Sequence, residues 1–239
     1  MDDALRTGEA NGQTQAAPAA AADAAPTPET QAAAPTLHVV LASKSPRRKE
    51  LLEQAGVHFI VHASEVDETL DDELQNDPAS AVGVLAERKA GVVVQELLAQ
   101  KPQGMWVVIG ADTMVVLDGE VFGKPRSLSQ AKHMLRELSG ATHEVMTGVS
   151  VWLVNGSEDG KVSVGKKTFT DISKVTFFEL SDEQIDEYLK KGESFDKAGA
   201  YAVQGAGAAL VNKVDGAIDT VIGLPVGRML EEFPDLLRA

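Results

Sequence analysis

LASKSPRRKELLEQAG, residues 41–56, organises the reading of this chain. An apolar run, Leu37, Val39, Val40 and Leu41, leads into it and reads as a short buried strand. A polar loop follows at Ser43-Lys44-Ser45. Next comes a helix whose two ends are both signalled: Ser45 suits the N-cap, Pro46 the first helical position, and Gly56 the residue just past the end. Leu51, Leu52 and Ala55 give it an apolar stripe. The charge is unusual. Arg47, Arg48 and Lys49 crowd the first turn, where the helix dipole is already positive and carboxylates are the favourable choice. Free N–H groups and two adjacent guanidiniums at a helix start suit a phosphate. A solvated helix start that happens to be basic is the plainer alternative.

The composition narrows the function classes. With 239 residues the chain is one large domain or two small lobes, and an apolar fraction of 44% is enough for a core. There is no cysteine, hence no disulfide framework, thiolate nucleophile or zinc-thiolate site, which fits a cytoplasmic home. No apolar run approaches the ~18 residues needed to span a bilayer. A formal charge of -14 argues against nucleic-acid binding, which needs a basic face. A small anionic substrate would need a local basic pocket inside an acidic protein.

Residues 1–36 stand apart. Ala, Pro, Thr, Gln and Gly dominate, and five acids (Asp2, Asp3, Glu9, Asp23, Glu29) face one Arg6. Such a segment cannot bury enough surface to fold and reads as a disordered acidic tail ahead of a domain at 37–239. It has neither the apolar core of a secretory signal nor the Arg-rich, acid-poor make-up of a transit peptide.

Beyond the first helix, Val57–Leu74 reads as a strand and an acidic loop with Glu65, Asp67, Glu68, Asp71 and Asp72. These are solvated carboxylates by default, though one or two could hold a hard divalent cation. His58 and His62 read as structural. A long helix is expected over 78–100, with Lys89 beside its apolar stripe, either snorkelling or reaching a phosphate. The run Met105–Ile109 reads as a central strand covered on both faces, ending at Gly110-Ala111-Asp112-Thr113. Asp112 there is either a turn residue or a catalytic carboxylate. A hairpin turning on Asp118-Gly119 then brings Lys124 to the same end of the sheet. Capped helices are expected at 127–140 and 181–192, and the stretch between and after them reads as mostly antiparallel sheet. DKAGAYAVQGAGAALV, residues 196–211, is rich in glycine where a strand should form. Its Gly205-Ala206-Gly207 lacks the rest of a dinucleotide fingerprint.

Seven short motifs, in this order, resemble the Maf family of nucleoside triphosphate pyrophosphatases. They are Ser43-Lys44-Ser45-Pro46-Arg47-Arg48, Glu87-Arg88-Lys89-Ala90, Gly110-Ala111-Asp112-Thr113, Gly123-Lys124-Pro125, Ser139-Gly140-Ala141-Thr142-His143, Asp196-Lys197-Ala198-Gly199 and Gln204-Gly205. The resemblance runs from about Leu37 to the C-terminal helix. It implies an α/β fold like that of the inosine triphosphate pyrophosphatases: an elongated mixed sheet flanked by helices, in two lobes with a central cleft, commonly as a homodimer. It also implies cleavage between the α- and β-phosphates of a nucleoside triphosphate with a divalent metal, Mg2+ or Mn2+. Arg47, Thr113 and Gln204 stand at the family's specificity positions and resemble the group acting on dTTP and UTP. Ala200–Ala202 and Ala217-Ile218-Asp219 depart from the usual wording.

On that resemblance Asp112 holds or deprotonates the attacking water, and Arg47, Arg48, Lys89, Lys124 and Lys197 surround the triphosphate. Ser43 donates to a phosphate, Glu68 helps Asp112 hold the metal, and Thr113 and Gln204 meet the base. A nucleotide-binding or regulatory protein of the same fold with weak turnover is the alternative. No nucleic-acid or membrane partner is expected.

Overall fold

The computed structural model describes residues 37–238; the expectation of a disordered tail lies outside the described residues. Among the described residues, seven strands form one sheet in the order β2-β1-β3-β5-β6-β7, with β4 on the edge of β3. β1 (Leu37–Leu41) runs parallel to both β2 (Ile60–Val61) and β3 (Gly104–Leu117). β4 (Glu120–Phe122), β5 (Thr142–Gly156), β6 (Val162–Phe177) and β7 (Val211–Asp215) are joined antiparallel. The mixed α/β sheet flanked by helices agrees with the sequence-based expectation.

The four longest helices start at their expected caps, Ser45, Asp77, Ser127 and Ser181. α1 spans Pro46–Gln54, with Ser45 accepting from the Arg48 amide as N-cap and Gly56 in the left-handed region at φ 76°. Short α2 (Asp72–Gln75) is capped by Asp71, and α3 (Pro78–Ala99) starts at an Asp77 cap. α4 (Leu128–Leu138) keeps the Ser127 cap, but Gln130 reaches back to the Arg126 amide, not to that of Ser127. α5 (Asp182–Leu189) has the full reciprocal box between Ser181 and Gln184. α6 (Ile218–Ile222) and α7 (Val226–Glu232) flank the Gly223-Leu224-Pro225 turn.

Two expectations need correction. The strand expected at 196–211 is instead two 3-10 turns, Ala198–Ala200 and Gly205–Leu210, with strand only from Val211. Gly199, Ala200 and Gly205 take φ between 62° and 66°, which no extended strand accommodates. Second, β3 does not stop at Gly110. It continues through Asp112 to Leu117 and pairs with β5 from Gly104 to Val116. Gly110 breaks no strand; it admits a helix. A Cβ there would lie 2.3 Å from the Ala86 carbonyl and 2.8 Å from the Ala90 amide. One at Gly148, directly opposite Asp112 on β5, would lie 2.3 Å from the Val82 carbonyl. Small residues on α3 (Ala86, Ala90) therefore rest on bare backbone of the two central strands, and Asp112 points to the same face that Gly110 and Gly148 leave bare.

That seat is testable. Gly110→Ala forces the α3 backbone outward, and overpacking of this kind costs about 2 kcal/mol. Urea unfolding is expected to show a lower midpoint at unchanged slope. A variant as stable as the parent would mean that α3 yields without strain.

The opposite face of the sheet carries two separate cores. One gathers Leu41, Leu52, Ile109, Val151, Leu224 and Met229 beneath α1 and α7. The other gathers Val115, Leu135, Val145, Phe177, Ile185 and Tyr201 beneath α4 and α5. Between them the sheet has a gap on one side of β3. β1 pairs with Met105–Ile109 and β4 only with Val115–Leu117, so residues 110–114 have no strand neighbour there.

Candidate functional site

A cleft of about 580 Å³ opens at this bare stretch of β3. Because successive side chains alternate across a strand, Asp112 enters it from the α3 face and Thr113 from the α1 face. Ser43, Arg47, Arg48, Glu68, Lys89, Asp112, Thr113, Lys124, Lys197 and Gln204 all line it, so every residue expected at the site is brought to one place.

The charges come in two clusters. On the α3 side the Lys89 ammonium lies 2.5 Å from Asp112 Oδ1 and 2.6 Å from Glu68 Oε1. The Lys89 hydrogen bond is the main cause holding the Glu68 carboxyl below its usual range, with Lys124 and Arg48 adding through space. Across the mouth, Arg47 Nη1 donates to Asp196 Oδ2 at 2.8 Å, and Lys197 Nζ donates to Asp196 Oδ1 at 2.6 Å. Partial burial would raise the Asp196 carboxyl, but the bonds from Lys197 and Arg47 outweigh it and bring it down to about 2. The cations are thus already neutralised by carboxylates, and an arriving polyphosphate exchanges one set of anions for another. Two cations differ: Lys124 has no hydrogen bond or ion pair among the described residues, and Arg48 bonds to no carboxylate. The Gly199 amide donates to the Gly123 carbonyl, 3.2 Å, which ties the Lys197 turn to the Lys124 loop.

Arg48 has a different place from Arg47. It is half-buried at the base of the cleft and donates to Gly223 O (2.7 Å), Ser43 Oγ (3.1 Å) and Thr113 Oγ1 (3.1 Å). Burial lowers its pKa from the ordinary arginine value while Asp112 pushes the other way. Three of its five N–H groups therefore hold α1, β3 and the α6–α7 turn together, and two remain for a ligand. Ser43 accepts both from Arg48 and from the Ser45 amide at 3.2 Å, which fills its two lone pairs and leaves its own hydrogen for the cleft. That is the polarity a phosphate-binding hydroxyl needs.

Sequence reading missed Asp196, Thr147 and Tyr201. Asp196 belongs to one of the seven motifs, and its pairing with Arg47 exists only once α1 and the Phe195–Lys197 turn face each other. Thr147 becomes relevant because it stands opposite Thr113 in the β3–β5 register. Tyr201 walls the cleft, and its hydroxyl lies 2.7 Å from Nε2 of the buried His143. No pattern in the linear chain marks either contact, because each joins residues 34 or 58 positions apart.

Known proteins resemble this chain over most of its length. The family described as Maf-like protein matches residues 38–236. A dTTP/UTP pyrophosphatase of Bacillus velezensis is 46% identical over 201 residues, covering 83% of this chain and 97% of that protein. One of Lachnoclostridium phytofermentans is 43% identical, over 81% of this chain and 92% of that protein. Among solved structures, a nucleoside-triphosphatase/dITP/XTP pyrophosphatase of Mycobacterium abscessus is 11% identical with a TM-score of 0.35, over 82% of this chain and 93% of that one. With the family match spanning nearly the whole described region and these relatives matched over almost their full length, the chain belongs to the Maf family.

Proposed function

We propose that this protein hydrolyses a nucleoside triphosphate of the dTTP/UTP class to the monophosphate and pyrophosphate. The observation that carries the reading is the Asp112 carboxylate, paired with Lys89, in a cleft of about 580 Å³ also lined by Arg47, Arg48, Lys124 and Lys197. Breaking a phosphoanhydride calls for charge neutralisation, in-line placement and an oriented water, and little else. Arg47, Lys89, Lys124 and Lys197, with the free N–H groups of Arg48, take up the phosphate charge, and Ser43 donates its remaining hydrogen to a phosphate oxygen. Asp112 aims the water and accepts its proton. Thr113 and Gln204 meet the base.

A divalent cation belongs to the same proposal. Glu68 and Asp112 are hard oxygen donors that already attract one cation, the Lys89 ammonium. Among the described residues no cluster of three or more His, Cys, Asp or Glu forms a cage. That suits Mg2+ or Mn2+ held by one or two carboxylates with the rest of its shell from water and substrate phosphates. Bound by Glu68 and Asp112, such an ion supplies neutralisation of phosphate charge. The homodimer and the cytoplasmic location implied by the family stay part of this reading, supported by the resemblance; among the described residues no helix is long and apolar enough to cross a membrane.

The test is product analysis with purified protein over dTTP, UTP, dCTP and GTP, each with Mg2+ or Mn2+. Equimolar dTMP and pyrophosphate from dTTP are expected. Orthophosphate as the first product, or no turnover of any triphosphate, would remove the reading.

A further inference from the structure

We propose that Thr147 and the Thr220 carbonyl set the direction of the Thr113 hydroxyl, so that the cleft meets the base with a hydrogen-bond acceptor. The class it selects is the imide pyrimidines, thymine and uracil, whose N3 carries a hydrogen; cytosine, whose N3 carries a lone pair, is rejected. The inference rests on the pyrimidine triphosphate reading above and adds the residues that enforce it.

The chain of hydrogen bonds starts at α6. The Thr220 carbonyl would ordinarily accept from the Leu224 amide, but Leu224 and Gly223 both donate to the Asp219 carbonyl at 2.9 Å, and Pro225 has no N–H. The hydrogen that reaches Thr220 O comes from Thr147 Oγ1 at 2.8 Å. Thr147 and Thr220 are both fully buried, so water cannot substitute. Thr147 has one hydrogen, and it is committed there.

Thr113 Oγ1 lies 3.0 Å from Thr147 Oγ1. One of the two must donate, and Thr147 has nothing left to give. The Thr113 hydrogen therefore points inward to Thr147. Arg48 Nη2 meets the same Thr113 oxygen at 3.1 Å, and a guanidinium only donates. Thr113 is left with one lone pair and no hydrogen for a ligand. It can accept from an imide N–H and can do nothing for a ring nitrogen that also accepts. A freely rotating hydroxyl would serve both bases alike. Ser43 is the mirror case on the same Arg48: both its lone pairs are filled from within, so it offers the cleft a hydrogen.

Thr147→Val keeps the shape and removes the hydroxyl. Thr113 then loses its inward acceptor and can turn its hydrogen toward the cleft. The ratio of kcat/KM for dTTP over dCTP is expected to fall about tenfold, roughly the worth of one hydrogen bond. Thr147→Ser, which restores the hydroxyl, is expected to bring the ratio back. A folded Thr147→Val protein whose ratio stays within twofold of the parent overturns the proposal. The unmodified protein gives an independent reading through the 2-pyrimidinone deoxynucleoside triphosphate, whose N3 accepts but which lacks the amino group of cytosine. Turnover as poor as that of dCTP supports acceptor polarity at Thr113; turnover close to that of dTTP overturns it. If the unmodified protein releases pyrophosphate from neither dTTP nor UTP, the pyrimidine reading itself has failed. If it prefers dTTP and the preference survives Thr147→Val, only the present inference has failed.

Discussion

Asp112→Asn is expected to lower kcat for dTTP by about a thousandfold, within the range that positioned acid–base groups contribute. The amide keeps the shape of the carboxylate but can neither take a proton from water nor carry the charge that holds Lys89 in place. Asp112 lies on β3 with its backbone paired to Gly148, and its side chain is 15% exposed, so its position is set by the sheet and survives the change. Lys89 keeps Glu68 as a partner at 2.6 Å, so no buried charge is stranded and the fold should persist. The check is kcat beside a melting curve. A variant that melts normally and turns over within tenfold of the parent would take Asp112 out of the chemistry. One that fails to melt cooperatively would show instead that the Lys89 pairing is structural.

The second large effect concerns stability against pH. His143 is 1% exposed, packs edge-on against Phe177 and Tyr201, and has no hydrogen-bond partner at Nδ1. Burial pushes its pKa down from 6.5 to about 4. The direction of the effect follows from which state binds the proton. Between pH 6.5 and about 4 the unfolded chain protonates this imidazole and the folded chain does not, so acidification favours unfolding. The stabilisation is complete above pH 6.5 and is lost as pH falls through that window; at about 1.4 kcal/mol per pH unit the loss is roughly 3 kcal/mol. Asp196, lowered from 3.8 to about 2, acts below this window, since its contribution disappears only as the carboxylate protonates. Denaturant unfolding at about pH 7 and about pH 5.5, above the range where carboxylates protonate, is therefore expected to differ mainly through His143. His143→Phe should flatten that dependence even though it deprives Tyr201 of a partner and lowers stability overall. An unaltered slope in His143→Phe would assign the acid sensitivity elsewhere.

Local signals along the chain were enough for the helices. Ser45-Pro46, Asp77-Pro78, Ser127 and Ser181 each cap the helix they announce, because capping is settled within four residues of backbone. Asp118-Gly119 makes its turn for the same reason, with both residues in the left-handed region. The expected site residues, Glu68 apart, stand in the quoted motifs, and all of them line one cleft.

What those residues do to one another was not legible. Gly110 looks like a strand end in the linear chain and is a seat for α3 in space, since nothing local records that Ala86 will press on it. Lys89 and Arg47 look like free cations and are held by Asp112, Glu68 and Asp196 from other elements. The direction of the Thr113 hydroxyl depends on a carbonyl more than a hundred residues away, left without its usual helical donor. Capping, turn chemistry and charge act over a few residues and can be read from sequence. Register, close backbone approach and the handing-on of hydrogens between strands need the third dimension, because their partners are neighbours only after folding.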